Sequence, residues 1–472
     1  MQLKRKQRRK LRQTLLASSC ALLGTAGTAR AADGDWSFDA GVLYYSEVDR
    51  VRAIEPAVIV KRDLGDDASV SARVVSDTLS GATPTGAMPA STGTTVTSPS
   101  GQSGNAAGAG KTPLDSSFRD QRYGLSVTWS RPLAQLWRLD LGANYSTEHD
   151  FQSQGINLLL ARDFNERNTT VSAGVSFESD LIKPIGGIHQ PLSTIKLPPP
   201  PEPEDPEPDM AAMFPQGVMP ASDEGGGDGN GEAANGNPAI ASSDHKHVKD
   251  LLLGVTQVMN RDWIVALNYS YSRSDGYQND PYKVVSIINS HLGGFFPGGP
   301  GGGFGPALGD PISNIYENRP STRVKHALYL QNKAYLGGQV LDFSYRYGWD
   351  DWGIKSSTYE LRYRIPFGES WYAMPHLRWY HQSQADFYHR GLLDTDVVPQ
   401  YVSADYRLAE FSARTVGIEF GTATSWGGRA SVRLEHYVQS GGSDPHVNIG
   451  VQQAYDLFPE LKADIVQFSV SF

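Results

Sequence analysis

The chain has 472 residues, 39% of them hydrophobic and 20% charged, with a formal net charge of -9 and a single cysteine, Cys20. That cysteine lies in the first 31 residues, so the rest of the chain has no disulfide, no thiolate metal site and no cysteine nucleophile. The acidic balance speaks against nucleic acid as a partner, and beyond residue 31 no uninterrupted apolar run approaches the ~18 residues of a membrane helix.

Residues 1–31 read as a cleavable signal peptide. Lys4, Arg5, Lys6, Arg8, Arg9, Lys10 and Arg12 form a basic region and Leu15 to Ala26 an apolar core, before the small-x-small site Ala29-Arg30-Ala31. Ala17-Ser18-Ser19-Cys20 is a poor lipobox, so an acylated cysteine is not expected. Cleavage before Ala32 removes eight positive charges and no negative ones, taking the net charge from -9 to -17. An exported chain without a membrane helix can cross a membrane only as a closed sheet, because lipid offers no partner for free backbone groups.

Period-two alternation begins at once. Trp36 to Tyr45 places Trp36, Phe38, Ala40, Val42 and Tyr44 on one face and Ser37, Asp39 and Gly41 on the other. Ala53–Asp63 follows, with Pro56 unable to donate to a ladder, and then Ala68–Leu79. Residues 80–118 turn to Gly, Ala, Ser, Thr and Pro, which is loop chemistry. Four strands come next, Arg119–Arg131, Leu136–His149, Ser153–Asp163 and Asn168–Ser179. Residues 180–246 form the longest interruption, with a proline-rich acidic run from Pro198 to Pro208. Eleven acidic and three basic residues fall between Ser179 and Lys246, and 198–237 is expected to be disordered.

Strands resume at His247–Met259 and Asp262–Arg273. A third long loop, 274–322, holds Gly298-Gly299-Pro300-Gly301-Gly302-Gly303, which lacks the Gly-Lys-Ser/Thr of a phosphate loop. Seven more strands complete the chain: Arg323–Leu336, Val340–Asp350, Trp352–Ile365, Trp371–Gln384, Arg407–Gly421, Gly428–Gln439 and Leu461–Phe472.

The total is about sixteen, an even number. With the amino end in the periplasm, every long interruption falls on the outer side. This predicts an all-β transmembrane antiparallel up-and-down barrel in the bacterial outer membrane. Loops 80–118, 180–246 and 274–322 would be extracellular, and the periplasmic turns short. Trp36, Trp129, Trp137, Trp263, Trp371 and Trp426 fall at the expected periplasmic strand ends, Trp349 and Trp352 at an outer turn, as aromatic girdles require. The last strand carries Asp464, Val466, Phe468, Val470 and Phe472 on one face and stops on the aromatic residue. Such an ending resembles the closing strand by which barrels are recognised for assembly. The expected partners are therefore outer-membrane lipid and the barrel-assembly machinery, the latter through Phe472.

Six stretches resemble a known family. They are Asp77-Thr78-Leu79-Ser80-Gly81-Ala82, Gly254-Val255-Thr256-Gln257-Val258, Gly276-Tyr277-Gln278-Asn279-Asp280-Pro281-Tyr282-Lys283, Tyr316-Glu317-Asn318-Arg319-Pro320, Trp349-Asp350-Asp351-Trp352-Gly353-Ile354 and Ala385-Asp386-Phe387-Tyr388. Together, and in this order, they are similar to domain-of-unknown-function family 3570, a group of proteobacterial predicted outer-membrane proteins. The resemblance implies the barrel and its compartment and brings no activity with it.

Strand parity also names the inward positions: Arg323, Lys325, Arg346, Arg362, Arg364, Arg378, Arg429 and Arg433, mixed with Asp342, Glu360 and Glu435. Charges at mid-membrane on the lipid face cost roughly 2–4 kcal/mol for Arg or Lys, so these belong in the lumen. They are either a pore lining with a transverse field or mutually paired charges that brace a plugged barrel. Asp244, His245 and His247 at one rim position could hold a divalent ion, as could His381, Asp386 and His389 at another. Isolated loop histidines are the commoner reading, and no metal or cofactor is expected. Asp350 or Asp351 with His381 or His389 would suit water activation at the rim, but no nucleophile elbow, zinc-protease or dinucleotide motif is present. The expected function is a porin-like channel passing or gating small solutes. The alternative is a non-conducting scaffold docking partner proteins through its loops or lumen. A rim hydrolase stands third, and no enzymatic activity is expected.

Overall fold

Alternating side chains need two different environments, and a closed sheet supplies both. The computed structural model describes residues 36–472 except 49, 82, 93, 97–104, 116–118, 196–238, 293–305 and 443. The signal peptide expected over 1–31 and the disorder expected over 198–237 lie outside the described residues.

Sixteen antiparallel strands form the barrel, each hydrogen-bonded to its sequence neighbours. They are β1 (Trp36–Glu47), β2 (Arg52–Gly65), β3 (Ala68–Ser80), β4 (Arg119–Ala134), β5 (Trp137–Thr147), β6 (Phe151–Phe164), β7 (Thr169–Ile182) and β8 (Asp244–Asn260), followed by β9 (Trp263–Gly276), β10 (Thr322–Leu336), β11 (Gln339–Asp350), β12 (Lys355–Phe367), β13 (Trp371–Gln382), β14 (Phe411–Ala423), β15 (Arg429–Gly441) and β16 (Leu461–Ser471). β1 closes the sheet on β16, in register from Asp39 opposite Ser471 to Glu47 opposite Ala463. Phe472 completes the seam. Its N–H donates to the Phe38 carbonyl (2.9 Å), the Phe38 N–H donates back (2.7 Å), and the two rings lie 5.7 Å apart.

The sixteen expected strands correspond one to one with those observed, and corrections concern their ends. β14 begins at Phe411, not Arg407, because Asp405 caps a 3-10 turn at Tyr406–Leu408 by accepting from the Arg407 N–H. β12 begins at Lys355 rather than Trp352, whose indole is buried at 4% exposure. β7 and β8 run further into the long loop than expected and pair as far as Ile182 opposite Asp244. Pro56 stays within β2, and the β2–β3 pairing lapses at Glu55 and Pro56, where a ladder donor is missing.

All long connections lie at one end. The other end has tight turns such as Asp66-Asp67 (φ 51° and 57°) and Gly337-Gly338 (φ 60° and 100°), the left-handed geometry that two-residue hairpins require. Trp36, Trp129, Trp137, Trp263, Trp371 and Trp426 all sit at this end. Arg62 lies over Trp36 (5.1 Å), Arg131 over Trp129 (5.5 Å) and Arg162 over Trp137 (5.0 Å), so the arginine stems cover ring faces while their charges reach water. The outward wall between the two ends is apolar and exposed, with Val74, Ile156, Leu253, Leu377, Val416 and Val466 all uncovered. In a soluble sheet such a belt would be a liability. On a closed barrel it is the surface that lipid covers.

The buried core lies elsewhere. At the loop end, segments from the five long connections and the short 351–354 connection fold into a cap. Its centre is a four-stranded sheet in the order Thr194–Ile195, Pro311–Tyr316, Val284–Ile288, Leu392–Leu393, the last pair parallel. Val285, Ile315, Leu392 and Val402 pack in one cluster, and Met88, Ile288, Val447 and Leu457 in a second. Trp352, Ile354, Phe387, Tyr388 and Leu408 make a third. The expectation of plain loops over 80–118 and 274–322 is thus corrected: they hold short strands and much of this core.

Candidate functional site: a charged wall beneath a folded cap

The inward wall is fixed by register. Lys325 faces Asp350, Tyr329 faces Arg346 and Lys333 faces Asp342 across β10–β11. Asp342 then faces Arg362, Ser344 faces Glu360 and Val340 faces Arg364 on β12, while Glu360 faces Arg378 on β13. Glu419 faces Arg433, Gly417 faces Glu435 and Ala423 faces Arg429 across β14–β15. All eleven expected inward residues therefore share the face opposite the exposed Leu328, Tyr359, Leu377, Val416 and Leu434.

These residues fall into two groups. One group is braced. His376 lies between Glu435 (Nδ1 to Oε1, 2.8 Å) and Glu360 (Nε2 to Oε1, 3.2 Å), Arg362 pairs with Glu360 at 2.7 Å, and Arg433 with Glu435 at 3.5 Å. Asp342 takes Lys333 (3.1 Å) and Gln331 (2.9 Å). Arg323 pairs with Asp350 and stacks 4.3 Å over Trp352. The second group is Lys325, Arg346, Arg364, Arg378 and Arg429, none of which makes an ion pair to a carboxylate among the described residues. Arg364 instead lies 4.0 Å from the Tyr372 ring centre. Reading the inward face for arginine, lysine and carboxylates passes over His376, although its strand parity matches Arg378 and signals it.

The cap is tied down by buried polar groups. Arg390 donates to the carbonyls of Leu457 (2.9 Å), Gly86 (2.7 Å) and Ala87 (3.4 Å), joining three connections. Gly86 adopts φ +92° where it crosses Val284, and a Cβ there would strike the Val284 carbonyl oxygen. Arg319 pairs with Glu317 (2.7 Å) and Asp405 (2.8 Å), and Arg407 bridges Asp405 and Asp280. Burial, together with the Asp280 and Asp405 carboxylates, pushes Glu317 up to about 7 against the pull of Arg319. Burial also opposes the charge on Asp405, but Arg407 and Arg319 outweigh it and hold that carboxyl well below the usual range. Gln382 on β13 donates to the carbonyls of Arg407 (2.9 Å) and Ala409 (2.8 Å), so this part of the cap docks on the inner wall.

Between cap and wall lies a cavity of about 550 Å³, lined by Lys325, Arg346 and Arg378 below and by Arg319 and Arg407 above. A second cavity, of about 480 Å³, lies against inward residues near the β1–β16 seam, including Asp39, Gly41, Glu55, Arg73 and Arg429. Side chains of the described residues do not fill the lumen at these levels.

The rim candidates fare differently. His245 and His247 stack at 6.4 Å, but strand parity puts Asp244 on the opposite face with Lys246, and its carboxylate caps the His245 N–H. Asp350 is held by Arg323, Asp351 accepts from the Val324 N–H, and His381 shares a hydrogen bond with Ser412. The expected Asp/His pairs are not brought together. A carboxylate group that sequence reasoning missed, Asp120, Glu148 and Asp150, has oxygens within 4.8 Å of one another. Burial and the hydrogen bond to Asp120 push Glu148 up to about 8, and Asp150 accepts from the Tyr282 hydroxyl at 2.6 Å.

Comparison with known proteins adds a family and little else. No curated protein matches the sequence. Solved structures with similar folds include the ferric enterobactin receptor PfeA of Pseudomonas aeruginosa (TM-score 0.38, 10% identity, 87% of this chain and 54% of that one). The siderophore receptor PirA from Acinetobacter baumannii is comparable (TM-score 0.39, 7% identity, 87% and 54%). A bacterial polysaccharide outer membrane secretin is covered almost whole (TM-score 0.41, 8% identity, 93% and 99%). The chain spans about half the length of the two receptors, and at these scores no function follows from the likeness. The family model described as "Protein of unknown function (DUF3570)" matches residues 12–472, and the chain belongs to that family.

Proposed function

We propose that the protein is an outer-membrane channel for small solutes, with its long loops outside the cell and its mouth gated by the loop cap. The lumen space that the described residues leave open carries this reading. Cavities of about 480 and 550 Å³ lie along a wall of charged and hydroxyl side chains, and a barrel of this strand number is too wide for its own side chains to fill. Braced charges such as His376 between Glu360 and Glu435 keep that wall rigid, while the cap has a core of its own and docks on the wall through Gln382, which donates to the Arg407 and Ala409 carbonyls.

Planar-bilayer recordings of the purified protein test the proposal, alongside an Arg319→Gln/Asp405→Asn variant that breaks the cap's ion cluster. Rare openings in the parent and frequent ones in the variant are expected. A folded, heat-modifiable barrel that passes no current in either form would overturn the channel. The cap's own hydrophobic core favours the second reading in that event, a scaffold that presents a fixed surface to partner proteins. For a rim hydrolase, no hydrogen bond or ion pair joins Asp350 or Asp351 to His381 or His389 among the described residues; the Asp/His pairs that form at the loop end are Asp396 with His446 (2.8 Å) and Asp394 with His291 (3.6 Å).

A further inference from the structure

We infer that the cavity beneath the cap is a binding site for a small multivalent oxyanion, a molecule bearing two or more phosphate or carboxylate groups, held by Lys325, Arg346 and Arg378. The inference deepens the channel reading by naming the class of solute. Binding itself does not depend on that reading; only passage of the bound anion through the barrel does.

The first ground is charge. The cavity is lined by six cationic side chains, the three named together with Arg323, Arg319 and Arg407, and by two carboxylates, Asp350 and Asp405. Those carboxylates are already engaged. Asp350 takes Arg323 and also accepts from the Trp352 and Ile354 N–H groups (3.1 and 2.9 Å). Asp405 takes Arg319 and Arg407. Glu360, opposite Arg378, is held by Arg362 and His376. Asp250, opposite Ser272 on β9 and so two strands from Lys325, accepts from the Ser176 hydroxyl at 2.6 Å and makes no ion pair with Lys325. Elsewhere on this wall Lys333, Arg362 and Arg433 find carboxylates, although Arg364 and Arg429 do not, so pairing is open to the fold. Here three like charges converge with no counter-charge left among the described residues, and an anion from outside relieves them.

The second ground is donor geometry. Arg346 faces Thr358, which faces Tyr380, and Arg378 is two residues from Tyr380 on the same strand. Ser270, Ser272 and Ser356 add hydroxyls to the lining. Two guanidiniums from different strands suit bidentate contact with oxyanions, and the ammonium of Lys325 supplies a point charge. A volume of about 550 Å³ is that of a small-molecule site and exceeds the need of one chloride or phosphate. Multivalence follows from three separate cations.

The test is calorimetric titration of the detergent-solubilised, full-length protein at low salt. Inorganic pyrophosphate serves as the phosphate arm and citrate as the carboxylate arm. Saturable binding of at least one is expected. Arg346→Gln and Arg378→Gln should each weaken it about tenfold or more, while Arg429→Gln, an unpaired lumenal arginine outside the cavity, should leave it within about twofold. Heat-modifiability checks that each variant is folded. Failure of both anions to saturate a folded parent would overturn the site, as would equal weakening by Arg429→Gln, which would mean a diffuse lumenal field. Conductance is read separately. Binding without current ends the channel and keeps the site, and current without saturable binding does the reverse.

Discussion

The barrel wall and the cap use the same residue types in opposite ways. On the wall, Ile156 and Val416 are 62% and 56% exposed and face outward, while the inner face carries arginines, carboxylates and serines. In the cap, Val285, Ile288 and Val402 are wholly buried, and charged residues such as Arg390 and Asp405 are buried with partners. The wall needs no hydrophobic interior because lipid takes that role. The cap, surrounded by water, must build an interior of its own. One chain thus contains a membrane protein and a small water-facing assembly, and the two should respond differently to the same perturbation.

The strongest break in that comparison is Ile288→Ala. It empties a fully buried site in the cap and should cost the cap about 2–5 kcal/mol. Protease cutting within 383–410 and 442–460 should rise steeply while the barrel's heat-modifiability stays unchanged; loss of both together would mean cap and barrel fold as one unit. Next comes Val416→Arg, a charge placed in the middle of the outward face of β14. A loss of roughly 2–4 kcal/mol in unfolding from lipid vesicles is expected, with little change in cap proteolysis. An unchanged midpoint would mean that this face does not meet lipid.

Acidity separates the regions more finely. Glu317 holds its proton up to about 7 in the folded cap, above the ordinary glutamate value of 4.5. A raised pKa contributes stability that is fully present below 4.5 and is lost as pH rises through 7. Cap proteolysis, read against a control peptide for the protease's own pH dependence, should therefore increase between pH 5 and pH 8. Glu317→Gln should flatten that profile. Asp405 has the opposite sign, since its lowered pKa contributes stability lost only as pH falls below the usual carboxylate range. The smallest effect is expected from deleting Pro198 to Asn237. That stretch is acidic, proline-rich and poor in apolar residues, so barrel yield and heat-modifiability should stay within error; failure to assemble would show that it carries contacts the barrel needs.

Much of the wall could be read from the residues alone. Trp36, Phe38, Phe468 and Val470 alternate with small or polar neighbours because each face of a barrel strand meets one environment along its whole length. Period two is then a local signal, and even parity of about sixteen strands follows from it. The inward charges are legible for the same reason. Where the pattern misled, a local competitor had won: Arg407 continued the alternation, but Asp405 capped a 3-10 turn and delayed β14 to Phe411.

The cap was not readable in that way. Val285, Ile315, Leu392 and Val402 share a core, yet they lie far apart in the chain, in strands as short as two residues or, for Val402, in a single bridge, too brief for any period to show. Glu317, Arg319 and Asp280 stood within stretches singled out by family resemblance, but nothing local said that Asp405 and Arg407 would join them. Nor could strand parity tell that Arg362 finds Glu360 while Arg346 and Arg378 make no such pair among the described residues. Ion pairing depends on how neighbouring side chains share each carboxylate across the ladder. The sequence by itself determined the strands, their faces and the closed sheet, since those follow from local periodicity and one solvent rule. Tertiary structure alone decided that the loops fold over the mouth and which lumenal cations make no ion pair among the described residues, since both depend on contacts between residues far apart in the chain.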